Sequence, residues 1–162
     1  PGEALAYLAH HCTAPLLVDP VSTVKAEKVK PILGKLHTLK PNRIEAELLS
    51  GVAIADAGSL HRAAQVLLDT GLRRVFISLG RQGVYAASHE GALLLPCRPA
   101  EPVNATGAGD AFMAGLAWAY LEGTDLKGTA LAGASAGAIA IEGAGTINPT
   151  LCAAALRARM NQ

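Results

Sequence analysis

Three short apolar runs, each closed by a turn and followed by helical periodicity, most restrict the folds open to this chain. Leu16-Leu17-Val18 ends at Asp19-Pro20, Leu36-His37-Thr38-Leu39 ends at Lys40-Pro41-Asn42, and Arg74-Val75-Phe76-Ile77-Ser78-Leu79 ends at Gly80. Apolar runs of this kind, bounded by turn residues, read as buried strands. The first strand is expected across 14–20. Helical spacing fills the intervals at 3–12, with Ala4, Leu5, Leu8 and Ala9 on one face, and at 24–34, with Gly34 as the stop. It recurs at 42–51, capped by Asn42 and stopped by Gly51, and at 59–70. Strands alternating with helices predict parallel βαβ units and an α/β fold with an open, mostly parallel sheet. Arg81-Gln82-Gly83 then links to a further strand at 84–87, with another at 92–95.

Composition removes several function classes. The chain has 162 residues, enough for one core, and no second domain is expected. Hydrophobic residues make up 51% and charged residues 17%, which excludes a disordered chain. A formal net charge of +1 gives no electrostatic case for nucleic acid or an anionic membrane. Cys12, Cys97 and Cys152 are widely separated and form no Cys-x-x-Cys, which fits a reducing, cytoplasmic setting. The apolar run 111–121 is shorter than the roughly 20 residues a bilayer requires. Gly133 and Gly137 stand four apart in a second apolar stretch, but Glu142 interrupts it. His10, His11 and Cys12 do not make a metal site, because neighbours on a helix point in different directions. The chain begins at Pro1, already near a strand, so a fragment of a longer protein is expected.

Chemistry concentrates at Pro102-Val103-Asn104-Ala105-Thr106-Gly107-Ala108-Gly109-Asp110, which runs into a helix with Phe112, Leu116 and Tyr120 on one face. Thr106 is the expected N-cap. Gly107 and Gly109 allow a tight turn and close approach, and the first helical amides lack internal partners. Such an opening attracts an anion, and Asp110 sets a carboxylate beside it, a pairing that suits phosphoryl transfer. A turn glycine and a dipole-stabilised Asp would explain the same letters. Phe112 stands where a dinucleotide fingerprint has its third glycine, and no Walker A Gly-Lys-Ser/Thr follows. Elsewhere two readings also stand side by side. Asn42 and Glu45 form a capping box, Gly80 and Gly83 shape a hairpin, and Asp19 is either a turn former or a group at a ligand-facing strand end. The helix 126–141 is built of small residues around Ala134, which permits close approach of a flat ring or of another helix. A loop at 143–149 and a helix at 150–160 follow.

The string from Asn104 to Phe112, with the small apolar helix after it, resembles the C-terminal signature of the ribokinase-like (PfkB) sugar and nucleoside kinases. Asn42-x-x-Glu45 after a strand resembles the second signature, and Ser78-Leu79-Gly80-x-x-Gly83 resembles the hairpin along the nucleotide. The resemblance covers essentially residues 1–162 as the C-terminal, ATP-binding and catalytic part of a kinase domain. It implies a three-layer α/β/α fold, with ATP and Mg2+ as cofactors. It also implies Asp110 as the base, with Gly107, Ala108 and Gly109 around the transferred group. Asn42 and Glu45 would serve the magnesium and Asn42 also the phosphates. Ser78, Gly80, Gly83, Thr106 and Gly107 would lie along the nucleotide, and Ala134 and Asn148 near the adenine. Many members carry Asp where Asn104 stands, and a neutral amide holds a monovalent cation less strongly. The wording around 18–22, 36–51 and 103–110 resembles the pseudouridine kinases, which implies phosphorylation of a nucleoside 5′-hydroxyl. Another sugar or nucleoside kinase, or a non-catalytic nucleotide-binding remnant, are the alternatives. The partner is a small molecule, with a homodimer left open. The half expected to be missing would hold the first strands, the lid and most acceptor-binding residues, so residues 1–162 alone should bind ATP weakly and not turn over.

Overall fold

The computed structural model describes residues 2–162, which fall into two compact units. Among the described residues, one unit comprises 2–79 with Tyr85–Leu94, and the other Gly80–Val84 with Leu95–Gln162.

The first unit carries helices α1 (Gly2–His11), α2 (Thr23–Val29), α3 (Arg43–Ser50) and α4 (Ala57–Asp69). Its strands are β1 (Leu17–Val18), β2 (Thr38–Leu39) and β3 (Arg74–Ser78), with most of β4 (Val84–Ser88) and β5 (Gly91–Leu95). The sheet order is β1-β2-β3-β4-β5. β1, β2 and β3 are parallel, with Leu17 opposite Thr38 and Leu39 opposite Val75. The links after β3 and β4 are too short for parallel crossovers, so these two strands continue as hairpins. Leu39, Leu67, Leu72, Val75 and Ile77 are fully buried, and Ala26, Ala46 and Ala63 let the helices approach them. Each such large side chain contributes roughly 2 kcal/mol by leaving water.

Several boundaries differ from expectation for identifiable reasons. β1 is confined to Leu17 and Val18, because Pro15 and Pro20 on either side have no N–H for a ladder. α2 stops at Val29 and a 3-10 turn takes over at Lys30–Lys35, where Pro31 cannot continue the α-helical bonding. Gly34 is therefore not the stop. It lies within the 3-10 turn, where a Cβ would collide with the carbonyl oxygen of Thr70. α4 starts earlier than expected because Asp56 caps it: Asp56 Oδ1 accepts the Ser59 N–H at 2.7 Å, and Ser59 Oγ accepts the Asp56 N–H at 2.9 Å.

The second unit is built on α5 (Ala108–Leu121), α6 (Leu126–Ile141) and α7 (Ala153–Met160). A Cβ on Gly115 would lie 2.6 Å from the Ala132 carbonyl oxygen, and one on Gly133 would lie 2.6 Å from the Phe112 ring. The small residues of α6 are thus the surface on which α5 packs, which gives them a structural cause. Asp125 caps α6 through the Gly128 N–H at 2.7 Å. α7 starts at Ala153 rather than 150. Among the described residues, no helix is long and apolar enough to cross a membrane.

Candidate functional site

In the first unit, the expected residues gather at the carboxyl ends of β2 and β3, where ligands of open parallel sheets bind. Asn42 caps α3: its Oδ1 accepts the Glu45 N–H at 2.9 Å, and Glu45 Oε2 accepts the Asn42 N–H at 2.8 Å. Asn42 also bridges to Ser78, whose N–H donates to the Pro41 carbonyl at 2.9 Å. The structure therefore brings Asn42, Glu45 and Ser78 together. Capping accounts for one oxygen of Glu45 only. Glu45 is 2% exposed, and its Oε1 is buried with no hydrogen-bond partner. An orphaned carboxylate oxygen is costly, and a hydrated hard cation is the kind of group that satisfies it. Asn42 and Glu45 thus fit a magnesium site.

Asp19, at the end of β1, is a turn former that also pairs with a lysine. Its Oδ1 accepts the Val21 N–H at 2.9 Å in a turn that holds Val21 at φ 67°, and its Oδ2 lies 2.9 Å from Lys40 Nζ. Lys40 is 5% exposed, an unusual depth for a lysine, and sequence reasoning passed over it. The available signal was its place between Leu39 and Pro41, at the end of a buried strand.

In the second unit, α5 is capped by Gly107 at φ 85° and not by Thr106, which corrects the expected cap. The reason is local: the Thr106 N–H donates to Asn104 Oδ1 at 2.9 Å, an Asx-type turn that places Thr106 before the helix. Gly107 is required twice, by its φ and because a Cβ would collide with the Thr146 carbonyl oxygen. The Ala108 N–H makes a long bond of 3.3 Å to Ala105 O. Gly109 and Asp110 follow at positions where a helix supplies no acceptor, so their amides face outward for an anion. Asp110 is exposed beside them.

The remaining candidates separate. Gly80 (φ 59°) has open space around it, so only its backbone angle calls for glycine. Gly83 (φ 100°) lies against Leu95 and Pro96, where a Cβ would collide with the Leu95 carbonyl oxygen. Ala134 is half-buried on α6. Asn148 is an anchor for the 143–149 loop: its Nδ2 donates to Ile139 O at 2.6 Å, and its Oδ1 accepts from both the N–H and the hydroxyl of Thr150. Its carbonyl oxygen is already doubly engaged, so the amide holds the backbone in place and does not present an acceptor to an adenine.

Two arginines complete the second unit. Arg159 on α7 donates to both carboxylate oxygens of Glu142, at 3.1 and 2.7 Å, and to Pro99 O at 3.1 Å. Arg98 Nη2 donates to Arg159 O at 2.7 Å. The Arg159 hydrogen bonds hold the Glu142 carboxyl below the usual range, helped by its charge and by the Glu101 N–H, against a smaller opposing effect of burial. A depressed carboxylate contributes stability that is complete above its unfolded value and lost as pH falls through the folded value. The melting advantage of the parent over Glu142→Gln should therefore be level above about pH 5 and close as pH drops below about 4.3, the ordinary value for Glu. Melting curves of both proteins across the acid range test this, and a gap independent of pH contradicts it.

Comparison with known proteins adds a separate line of evidence. The family of pfkB carbohydrate kinases matches residues 2–152. A pseudouridine kinase of Escherichia coli (strain K12) is 43% identical over 124 residues, covering 75% of this chain and 39% of the relative. A ribokinase of Haemophilus influenzae is 33% identical over 121 residues, covering 74% of this chain and 40% of the relative. Among solved structures, one assigned as a sugar kinase of Clostridium perfringens superposes with a TM-score of 0.94 at 31% identity, covering 99% of this chain and 52% of that one. The ribokinase of Thermotoga maritima gives a TM-score of 0.83 at 25% identity, covering 100% and 54%. The chain thus spans about half, or less, of the length of these proteins.

Proposed function

Given that the chain belongs to the pfkB family of carbohydrate kinases and has their ribokinase-like α/β fold, we propose that it is the C-terminal, ATP-binding and catalytic portion of a kinase that phosphorylates the 5′-hydroxyl of a nucleoside, pseudouridine first. The observation that carries this reading is Asp110, exposed in the first helical turn next to amides that have no helical acceptor. Asp110 orients the acceptor hydroxyl and takes its proton as that oxygen bonds to the γ-phosphorus of ATP and ADP leaves. The amides of the Gly107–Asp110 turn donate to the oxygens of the transferred group, where charge develops. Glu45 and Asn42 would hold magnesium, which would supply charge neutralisation to phosphate oxygens. The Oδ1 of Asn104 already accepts the Thr106 N–H at 2.9 Å, and no monovalent cation is assigned there. A cytoplasmic setting fits an ATP-dependent enzyme of small molecules.

The acceptor is chosen from the 43% identity to the pseudouridine kinase. A sugar acceptor is the second reading, supported by the ribokinase of Haemophilus influenzae at 33%. Purified protein in its complete natural form, given ATP–magnesium, should convert pseudouridine to its 5′-phosphate in preference to uridine or ribose. Preferential turnover of ribose would move the assignment to the sugar reading. Glu45→Gln should keep the capping bond through its remaining carbonyl oxygen, melt close to the parent, and raise the magnesium requirement roughly 10-fold. If its magnesium titration overlays the parent, Glu45 is only a capping residue.

A further inference from the structure

We propose that Arg159 and Asn104 are positioning residues for the Gly107–Asp110 turn, acting by locking the 98–107 run along the end of α6 and the loop that follows it. Only the activity arm of this inference rests on the kinase reading. The lock begins far from the turn, on α7. Arg159 grips Glu142 through two nitrogens and Pro99 O through one, and Arg98 returns a bond to the Arg159 carbonyl. Glu142 is the C-cap of α6, and the adjoining Ile141 O accepts both the Val103 N–H at 2.7 Å and the Asn104 N–H at 3.1 Å. The Asn104 side chain then works in two directions. Its Nδ2 donates to Ala144 O at 3.0 Å across to the loop, and its Oδ1 accepts the Thr106 N–H at 2.9 Å within its own run. Gly107, seated against Thr146, ends the series.

The run is thus tied first to Arg159 of α7 at Arg98 and Pro99 and then to residues 141–146 at Val103, Asn104 and Gly107, and the last tie lies directly before the first amides of α5. The choice of bonds indicates positioning over simple adhesion. Apolar contact would hold a helix end without fixing its orientation, whereas a two-nitrogen arginine–carboxylate pair and a donor–acceptor amide are directional. Orientation is what a set of amides around a transferred phosphoryl group needs, since a displacement of about 1 Å near the reacting atoms can cost about 10²-fold. Asn is suited to position 104 because it is both donor and acceptor. Asp would face the Ala144 carbonyl with a second oxygen, and Ala would release both ties.

Hydrogen exchange of the bonded amides of Val103, Ala108 and Ala111, read beside turnover of ATP and pseudouridine in the complete protein, tests the lock. In Arg159→Gln and Asn104→Ala, exchange of the bonded amides of Val103, Ala108 and Ala111 should rise at least about 10-fold while exchange within α6 stays at the parent level. In the same variants kcat should fall about 10-fold, with the KM for the acceptor within a few-fold. Glu142→Gln, which keeps one oxygen acceptor for Arg159, should lose less than Arg159→Gln on both measures. Unchanged exchange at the Val103, Ala108 and Ala111 amides in Asn104→Ala overturns the proposal, as does a rise spread equally over α6. If Arg159→Gln does not fold, Asn104→Ala decides alone, because that side chain sits in a loop. If the parent turns over no acceptor, the kinase reading falls, and the exchange measurement still decides the lock.

Discussion

Asp110→Asn should lower kcat by at least about 10²-fold, the lower end of what a positioned proton acceptor contributes, while ATP affinity stays within a few-fold. The change keeps the shape of the side chain and its place in the first turn of α5. It removes the ability to take a proton. The structural role of the residue is small by comparison: an exposed carboxylate in the first turn of a helix is worth about 0.3–1 kcal/mol through the dipole, so the variant should melt near the parent. Activity and stability therefore part company in this one substitution, which separates the catalytic reading of Asp110 from the helix-dipole one. Phosphoryl transfer needs little early activation of the nucleophile, so much of the loss would come from misorienting the acceptor hydroxyl. A variant that turns over at near the parental rate would remove Asp110 from the reaction.

What could be read from the letters, and what could not, divides by the range of the interaction. α6 is found at Leu126–Ile141 as expected, because Asp125 caps it and small residues run to its end. Asn42 and Glu45 were legible as a capping box for the same reason, since both bonds close within four residues. The errors at β1 and α2 come from weighing proline too lightly: Pro15 and Pro20 shorten the strand, and Pro31, not Gly34, ends the α-helix. Thr106 was read as a cap on its side-chain oxygen, but the residue two before it had already taken its amide. The parts of the site that stayed hidden are all long-range. Neither the pairing of Lys40 with Asp19 nor that of Arg159 with Glu142 leaves a trace in local periodicity. The unpartnered Oε1 of Glu45 is visible only once burial is known, and Asn148 could be placed in its loop but not seen to be consumed by it.

Gly107→Ala should lower both the melting temperature and kcat. Two separate costs meet at this position. The residue sits at φ 85°, a conformation that costs a side-chain-bearing residue about 1–3 kcal/mol. The added Cβ would also be driven into the Thr146 carbonyl oxygen, which is backbone and cannot rotate aside. Relief requires moving the turn away from the 141–146 loop, and that displaces the amides of Gly109 and Asp110 with it. Gly80→Ala supplies the control, because Gly80 has a similar left-handed angle of φ 59° with nothing within 4 Å of the new carbon. Gly80→Ala should therefore show only the conformational cost, whereas Gly107→Ala should melt well below it and lose at least about 10²-fold in kcat through misplaced donors. Melting curves and turnover of the two variants, measured side by side, make the comparison. Equal melting would mean that the approach of Thr146 to Gly107 is relieved at little cost, and the turn would then owe its shape to the backbone angle alone.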